Sequence, residues 1–462
     1  MKAKNILFIS VCILLGAFFG ILFQDRALNE KGIAGGVYAW QISLSELQPH
    51  EAQVILARKA NLLLQSQITL SYGERTWQLS VQSLGAAFDL EGMVRKAYSI
   101  GRTGNLWQRF WQRISANRQK VVLTPELSLD EAEIAALGVQ LAAQVDRRSR
   151  NARLEVKGTE VKIIPAITGR RLKTEKFSDF LRKAILAGEE SNTLQVEKLA
   201  PDLTTDEVKA WGIKEQIAGF TTRFNPENVN RVRNVRIAAG KIDGLVVMPG
   251  KQFSFNKVVG TRGIREGYTQ APVIVDGKLV PGLGGGVCQV SSTLYNAILL
   301  ADLKPTKRSH HSMPVAYLPI GRDAAVAYDY LDLRFINTSG AALLFKTYVE
   351  GDKIKVAIYG AGTGDVVNLE SVVEEEIPAS IQEKVDPLLQ PGEQKVLRDG
   401  ISGYKVKVWR TVRRGGRLLR RELISSDYYK PVSKIIAVGA AVTAEAEKEE
   451  EEVVPFKIVP VE

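Results

Sequence analysis

The sequence predicts an α+β multidomain protein: an N-terminal transmembrane helix, two small α+β repeats, a mixed β-rich domain and a small, elongated all-β C-terminal domain. Three observations predict it. The 462 residues contain 45% hydrophobic and 24% charged side chains, a globular composition whose length suggests about three domains. An apolar run opens the chain. Short β-rich segments separated by glycines dominate its second half.

The apolar run from Ile6 to Phe23 has 18 residues, about enough to cross a bilayer as a helix. Lys2 and Lys4 precede it, and this positive flank predicts a cytoplasmic N-terminus with everything after residue 26 outside. A cleavable signal peptide is the competing interpretation, but residues 22–24 offer no small-x-small cleavage site. We therefore expect residues 1–26 to be a cytoplasmic stub and a single-pass anchor in the cell membrane.

Charge narrows the choice of partners. The net charge of +11 suits nucleic acid, anionic lipid or an anionic polymer such as cell wall. Because the predicted topology puts the basic mass outside the cell, nucleic acid is excluded as a partner. Residues 441–462 differ from the rest, since seven Glu, two Lys and few core-forming residues predict a disordered acidic tail.

Residues 27–50 are predicted to be a stalk, and residues 51–200 to be two similar α+β repeats. Each repeat is predicted to contain a β-hairpin with a glycine in its turn, then a loop, then an amphipathic helix. The turn glycines, Gly73 and Gly158, are 85 residues apart, and the Arg-Lys-Ala triplets of the two helices are 87 residues apart. Such constant offsets indicate a duplicated module.

Two β-rich segments make up the second half of the chain. In residues 213–360, glycines and short strand-like runs alternate, and a helix is predicted only at Ser291–Leu303. In residues 366–439, strand-like segments are again punctuated by glycines, which predicts the small all-β domain.

A glycine-rich sequence leads into the predicted helix and carries the one cysteine outside the predicted anchor. Gly284, Gly285 and Gly286 precede Cys288, and such glycines allow a tight backbone that exposes N–H groups. A thiol at a helix N-terminus is near the positive end of the helix dipole, which lowers its pKa and favours the thiolate. The same N–H groups are suited to an oxyanion hole for acyl transfer.

Two simpler interpretations of this segment exist. A phosphate-binding loop also uses many glycines, but no Lys-Ser/Thr follows Gly286. Cys288 is also consistent with a small buried residue that starts a core helix, since Val287 and Val290 flank it. The chain has no CxxC or HExxH pattern, so neither a metal site nor a cofactor is predicted.

A cysteine nucleophile needs a base, and two imidazoles follow it at a distance of 22 and 23 residues. His310 and His311 are therefore both candidates for that base, although ordinary structural roles also fit them. An acidic side chain that orients the imidazole would come from Asp323, Asp329 or Asp332.

Several segments between residues 230 and 337 resemble the VanW family of wall-associated bacterial proteins. They are Asn230–Val235, Pro249–Asn256, Gly260–Gly263, Gly267-Tyr268, Gly284–Gln289, Arg308–Ser312, Tyr317–Ala324 and Asp332–Asn337. Residues 51–200 are similar to the peptidoglycan-binding repeats that precede transpeptidase and VanW-type domains. Residues 366–439 resemble the β domain named for its five glycines, which is thought to bind glycans.

The resemblance implies a cysteine L,D-transpeptidase that acts on peptidoglycan in the cell wall. Cys288 would form a thioester with a tetrapeptide stem, and a neighbouring stem would resolve it to a 3–3 cross-link. The family's Arg-x-x-His-Ser element maps onto Arg308, His311 and Ser312, but the adjacent His310 leaves open which histidine acts, and Asp323 would orient it. The further substrate-binding candidates are Gly284, Gly285, Gly286, Gln289, Arg262 and Tyr317.

Three functions remain open from the sequence. The first is transfer, in which Arg262 or Arg308 grips a stem carboxylate. The second is hydrolysis at the same site, which differs only in its acceptor. The third is a non-catalytic peptidoglycan-binding scaffold, or an accessory protein of glycopeptide resistance, in which Cys288 is structural.

Overall fold

The computed structural model describes residues 2–30, 32–275 and 277–439, so the predicted acidic tail at 441–462 lies outside the described residues. The helices, numbered in chain order, are α1 Lys2–Glu30, α2 Pro49–Leu64, α3 Leu90–Ser99, α4 Leu106–Gln119, α5 Glu131–Val145, α6 Phe177–Ala187, α7 Thr205–Ala210, α8 Val229–Ile242, α9 Phe255–Val259 and α10 Val287–Leu300. The strands of the first half are β1 Val37–Ala39, β2 Ile42–Ser43, β3 Gln67–Tyr72, β4 Arg75–Ser80, β5 Ala87–Phe88, β6 Val121–Leu123, β7 Leu127–Ser128, β8 Arg153–Lys157, β9 Glu160–Ile164, β10 Gly169–Leu172, β11 Ser191–Thr193 and β12 Val196–Leu199. Those of the second half are β13 Glu215–Arg223, β14 Val246–Val247, β15 Gln252–Ser254, β16 Gln270–Val275, β17 Lys278–Leu283, β18 Pro305–Lys307, β19 Arg334–Ile336, β20 Leu343–Glu350, β21 Lys353–Gly360, β22 Asp365–Ile377, β23 Ile381–Asp386, β24 Gln394–Arg398, β25 Gly403–Arg414, β26 Arg417–Tyr429 and β27 Lys434–Gly439.

The predicted transmembrane helix is wrong. Among the residues that the structure describes, none of the helices combines the length and the apolar character that crossing a membrane requires. The remaining fold-class prediction, of several mixed and β-rich domains, agrees with the structure.

The chain forms two compact units. The N-terminal unit comprises Met1–Asn151 and Ala166–Asp202, and the C-terminal unit comprises Ala152–Pro165 and Leu203–Glu462. In the N-terminal unit, part of the predicted stalk is folded, because Val37 and Leu44 are buried in a hydrophobic core with Leu56 of α2. Burial of these apolar side chains explains why this segment packs instead of extending as a stalk.

The hairpin β8–β9 belongs to the C-terminal unit, although its sequence position assigned it to the second α+β repeat. Its strand β9 pairs with β13 through Glu160 and Glu215, which leaves β8 at the edge of the sheet. The apolar side chains of the hairpin, Leu154, Val156 and Val161, pack on a core of that unit. The helix predicted for the same repeat, α6, buries its apolar face in the N-terminal unit.

The C-terminal unit is built on a six-stranded sheet with the order β14-β20-β21-β13-β9-β8. Helices α8 and α10 share one hydrophobic core with β13, β20 and β21. Almost every residue of α10 is buried, including the polar side chains of Gln289, Ser291, Ser292, Thr293 and Asn296. This rigid, central helix carries Cys288 in its first turn.

The predicted all-β C-terminal domain is confirmed. It consists of two three-stranded sheets, β22-β25-β26 and β23-β27-β24, joined in sequence without a helix among its described residues. The long hairpin β25–β26 pairs Tyr404 with Tyr429 at one end and Arg414 with Arg417 at the other.

Candidate active site

Three glycines form the turn that leads into α10. Gly284 and Gly286 have φ angles of +78° and +107°, which L side chains rarely adopt. Gly285 lies against β16, because an added Cβ would stand 2.6 Å from backbone atoms of Ala271. The glycines are therefore required by the backbone geometry, and the turn is buried.

This turn leaves N–H groups beside the thiol. The N–H groups of Val287 and Gln289 donate to the carbonyls of Gly284 and Gly286, at 3.1 and 3.0 Å. Within the described part of the chain, the N–H groups of Gly285, Gly286 and Cys288 have no hydrogen-bond partner. First-turn donors of this kind favour negative charge at the helix N-terminus.

Cys288, His311 and Asp323 lie together at this end of α10. His311 Nδ1 is 2.5 Å from Asp323 Oδ2, and the His311 backbone N–H donates to the same oxygen at 2.6 Å. The imidazole also lies close enough to the Cys288 thiol to lower its pKa, and Nε2 is the ring nitrogen that does not contact Asp323. Asp323 is 2% exposed and Cys288 is half-buried. His311 lies between the other two side chains, which is the arrangement of a nucleophile (Cys288), its base (His311) and the residue that orients the base (Asp323).

The electrostatics of the three groups favour a thiolate–imidazolium pair. Burial raises the pKa of the Cys288 thiol, but the hydrogen bond and charge of His311 outweigh it, so the net pKa is lowered. Burial lowers the pKa of His311, but Asp323 and Cys288 together raise it to about 9. Burial raises the pKa of Asp323, but His311 and Arg308 bring it down to about 2. A low thiol pKa next to a high imidazole pKa is the condition for a reactive cysteine.

Polar side chains of α10 hold the loop that carries Asp323. Ser291 Oγ donates to the carbonyl of Ala324 at 2.7 Å, and Ser292 Oγ accepts from the Ala324 N–H at 2.9 Å. Asn296 Nδ2 donates to the carbonyl of Arg322 at 2.8 Å. Sequence reasoning missed these residues. Their signal was a run of small polar side chains inside an otherwise apolar helix, since buried polar groups need partners.

The structure separates the two candidate histidines. His310 Nδ1 bonds the backbone carbonyl of His311 at 2.7 Å, and its ring packs on Tyr429 with centroids 4.9 Å apart. His311 alone contacts both Cys288 and Asp323. Of the other acidic candidates, Asp332 is engaged by Ser254, Asn256 and Arg334, and Asp329 is exposed.

The two arginines predicted to grip substrate differ in accessibility. The Arg308 side chain is 8% exposed, and its Nη1 donates to both oxygens of Asp427 at 2.6 and 2.7 Å. Its charge is thus engaged within the protein by Asp427. Arg262 lies close enough to Cys288 to interact with the thiolate charge, and its Nη2 donates to Asn256 Oδ1 at 2.6 Å. Its buried Nε has no partner among the described residues.

A cavity of about 950 Å³ borders the first turn of α10. Its lining includes Tyr317 and three basic side chains, Arg223, Arg231 and Lys353. Arg231 Nη2 donates to Gln289 Oε1 at 2.9 Å. These side chains make the cavity suited to an anionic group.

Gln289 and Ser312, both predicted to bind substrate, differ in their exposure. Gln289 is 1% exposed, and its Nε2 donates to Thr222 Oγ1 and to the Arg223 carbonyl, at 3.0 and 2.8 Å. Its side chain therefore holds the guanidinium of Arg231. Ser312 is exposed, and its Oγ accepts from the Gly277 N–H at 3.1 Å.

Three family profiles match the chain. The profile described as "VanW like protein" matches residues 230–359, "Putative peptidoglycan binding domain" matches residues 77–193, and "G5 domain" matches residues 368–441. The first match contains Cys288, His311 and Asp323.

Two curated relatives and a solved structure are similar to the chain. "Uncharacterized protein YoaR" of Bacillus subtilis (strain 168) is 36% identical over 230 residues, which cover 50% of this chain and 74% of the relative. "Vancomycin B-type resistance protein VanW" of Enterococcus faecalis (strain ATCC 700802 / V583) is 29% identical over 130 residues, 27% of this chain and 47% of the relative. The "IgA1 Protease G5 domain structure" is 22% identical and covers 17% of this chain and 90% of its own, with a TM-score of 0.14 that supports no inference.

Proposed function

This chain belongs to the VanW-like protein family, and we propose that it works in the bacterial cell wall as a cysteine acyltransferase of the L,D-transpeptidase type. The observation that carries the proposal is the contact of Cys288 with His311 and of His311 with Asp323. The matches to a peptidoglycan-binding domain and a G5 domain support peptidoglycan as the polymer that is bound.

The first half of the proposed reaction forms a thioester. The Cys288 thiolate attacks the carbonyl carbon of the third residue of a tetrapeptide stem. The tetrahedral oxyanion accepts hydrogen bonds from the N–H groups of Gly286 and Cys288, which have no other partner among the described residues. The His311 imidazolium gives its proton to the amine of the terminal D-alanine, and the bond between the third and fourth residues breaks.

The second half resolves the thioester. The side-chain amine of a neighbouring stem attacks the thioester carbonyl, and neutral His311 takes the proton that this amine loses. Collapse of the second tetrahedral intermediate expels the Cys288 thiolate and leaves a 3–3 cross-link. Asp323 stays ionised throughout, since its pKa of about 2 is far below neutral.

The basic cavity is the proposed site for the terminal carboxylate of the donor stem. Arg231 is its best-placed group, because buried Gln289 holds one edge of the guanidinium. This gives to Arg231 the role for which the sequence offered Arg262 or Arg308; the charge of Arg308 is taken up by Asp427.

We expect Arg231→Ala to raise KM for a tetrapeptide donor by roughly 10- to 100-fold, which corresponds to loss of a charge-assisted hydrogen bond. The effect on kcat should be smaller, because the contact is remote from the reacting carbonyl. Steady-state kinetics with a soluble tetrapeptide donor measure both constants. Arg236→Ala removes the same charge from an exposed position of the same helix and should leave KM unchanged. Equal effects of the two variants would contradict the assignment.

The pKa directions predict a pH profile for the thiol and the reaction. Because His311 lowers the pKa of Cys288, iodoacetamide should alkylate Cys288 well below pH 8.5, the ordinary thiol pKa. The rate of cross-linking should decrease above about pH 9, where His311 loses the proton that the leaving amine requires. Peptide mass mapping separates Cys288 from Cys12. Alkylation of Cys288 in the urea-unfolded chain supplies the reference. If its rate had the same pH dependence in the folded and the unfolded chain, the thiolate–imidazolium pair of Cys288 and His311 would be contradicted.

The deciding experiment is muropeptide analysis after the purified chain is incubated with wall fragments rich in tetrapeptide stems. New 3–3 cross-linked dimers would support transfer. Released D-alanine with tripeptide stems and no dimers would instead identify a hydrolase. Binding to the wall fragments without any change in the stems would leave a peptidoglycan-binding scaffold or a resistance accessory protein.

A further inference from the structure

The C-terminal all-β domain contributes two side chains to the surroundings of the triad. In β26, the Tyr429 hydroxyl donates to Asp323 Oδ1 at 2.5 Å and accepts from the Gly321 N–H at 3.2 Å. Asp427, two residues earlier, accepts from Arg308 Nη1 with both carboxylate oxygens. Arg308 Nε in turn donates to the backbone carbonyl of Asp323 at 2.7 Å. Strand β26 thus contacts the orienting carboxylate directly and through an arginine.

The same hairpin also holds the helix that carries the thiol. Arg410 of β25 donates to the carbonyl of Leu299 in the last turn of α10 at 3.2 Å, and to that of Leu303 at 2.8 Å. Its side chain is 2% exposed. A buried cation that satisfies carbonyls at a helix C-terminus is stabilising. The β25–β26 hairpin therefore contacts both the loop that carries Asp323 and the helix that carries Cys288.

The loop that carries Asp323 is also closely packed against the β25–β26 hairpin. An added Cβ on Gly321 would stand 2.9 Å from a side-chain atom of Val408 and 3.0 Å from one of Val406, both in β25. Tyr429 is 1% exposed and Asp427 is almost as well buried. Hydrogen bonds between charged groups in such a dry environment are strong, and removal of one partner leaves the other at a high free-energy cost.

We propose that the C-terminal all-β domain completes the active site, with Asp427 and Tyr429 as positioning residues that hold Asp323 for His311. The chemical role of the triad rests on the proposed function, but the positioning does not depend on which acceptor resolves the thioester. In this chain the VanW-like and G5 domains would then form one catalytic unit. The G5 domain would act inside the site, in addition to any binding of the wall.

The protonation of His311 reports this positioning. Two groups face His311: Asp323, which lies in the same loop, and Cys288, which lies in α10. Together they raise the pKa of His311 to about 9, against the effect of burial. Arg308 and Tyr429 lie next to Asp323, and Arg262 lies next to Cys288. Any change that brings positive charge closer to Asp323 will weaken its support of the imidazolium and lower the pKa of His311.

Removal of either positioning residue should have that effect. Without the charge of Asp427, Asp323 is the carboxylate that remains for Arg308, whose Nη2 is already 3.4 Å from Asp323 Oδ1. Without the Tyr429 hydroxyl, the same Oδ1 loses its donor, and Arg308 is the nearest replacement. In both cases Arg308 competes with His311 for Asp323.

The test is a titration of His311 in the full-length chain by NMR of ¹³C-labelled imidazole. The chain has three histidines, so single His→Gln variants assign every signal. We expect Asp427→Asn to lower the pKa of His311 by about one unit, as loss of support by an opposite charge does. Tyr429→Phe should lower it by less. Glu370→Gln, an exposed charge of the same domain, and Tyr428→Phe, the exposed neighbour of Tyr429, are the matched controls and should leave it unchanged.

An unchanged His311 titration in a folded Asp427→Asn chain would overturn the proposal. If that variant does not fold, Tyr429→Phe decides, because it removes one oxygen and keeps the ring in place. The titration needs no peptidoglycan, so its outcome is separate from that of the proposed function. A wild-type chain that cross-links stems while both variants titrate normally would refute only the positioning. A shifted titration in a chain without transferase activity would refute only the proposed reaction.

Discussion

Cys288→Ser should abolish formation of 3–3 cross-links by the purified chain. Loss of the nucleophile in an acyl-transfer site lowers the rate by roughly four to six orders of magnitude. The effect is this large because a serine hydroxyl has a far higher pKa than the thiol and is not ionised near neutral pH. Muropeptide analysis measures the loss.

The substitution should leave the fold intact. Serine is nearly isosteric with cysteine, and apart from His311 the half-buried thiol has a weak contact, 3.5 Å, with the carbonyl of Val326. The melting temperature should therefore stay close to that of the wild type. Cys12→Ser is the matched control, since it removes the other thiol of the chain and should retain full activity. Cross-linking by Cys288→Ser at the wild-type rate would end the enzyme proposal and leave the scaffold.

His311→Ala should have a similarly large effect, whereas His310→Ala should have a small one. Removal of His311 takes away the proton donor for the leaving amine and the charge that lowers the pKa of Cys288. We expect cross-linking to fall by about four orders of magnitude or more, as for a base that acts as a unit with its nucleophile. His310 bonds only the His311 carbonyl among the described residues and packs on Tyr429, so its loss should slow the reaction only by loosening the loop.

Two measurements separate a catalytic loss from unfolding. Circular dichroism should show the same fold for both histidine variants, because Asp323 keeps Arg308 and Tyr429 as partners. The alkylation profile of Cys288 should move to higher pH in His311→Ala and stay in place in His310→Ala. Comparable activity of the two variants would contradict the assignment of His311 as the base.

Much of the domain organisation was predictable because it depends on local patterns and family motifs. The resemblance to VanW-type, peptidoglycan-binding and five-glycine domains is confirmed by the three profile matches and by the relatives. The all-β character of the C-terminal domain followed from glycines that punctuate strand-like runs. Local patterns were insufficient for α8 and for the start of α10 at Val287, because tertiary burial decides where a helix with mixed propensity forms.

Placement of segments in space was less predictable. The apolar run near the N-terminus suggested a membrane anchor that the described helices do not provide. The hairpin β8–β9 follows the repeat pattern in sequence, yet its apolar face is buried in the C-terminal unit. A strand pattern specifies which side chains share a face, but it does not specify the surface that covers that face.

The sequence by itself determined the chemistry that this chain has available: a thiol that follows three glycines, two histidines downstream of it, and acidic residues after those histidines. These features are local, and backbone geometry and helix electrostatics act over a few residues. Only the tertiary structure decided which histidine and carboxylate join the thiol, that Arg308 is engaged by Asp427, and that Tyr429 holds Asp323. The pairs Arg308–Asp427 and Tyr429–Asp323 are more than 100 residues apart in the chain, and their hydrogen bonds depend on atoms that folding brings within 3 Å of each other.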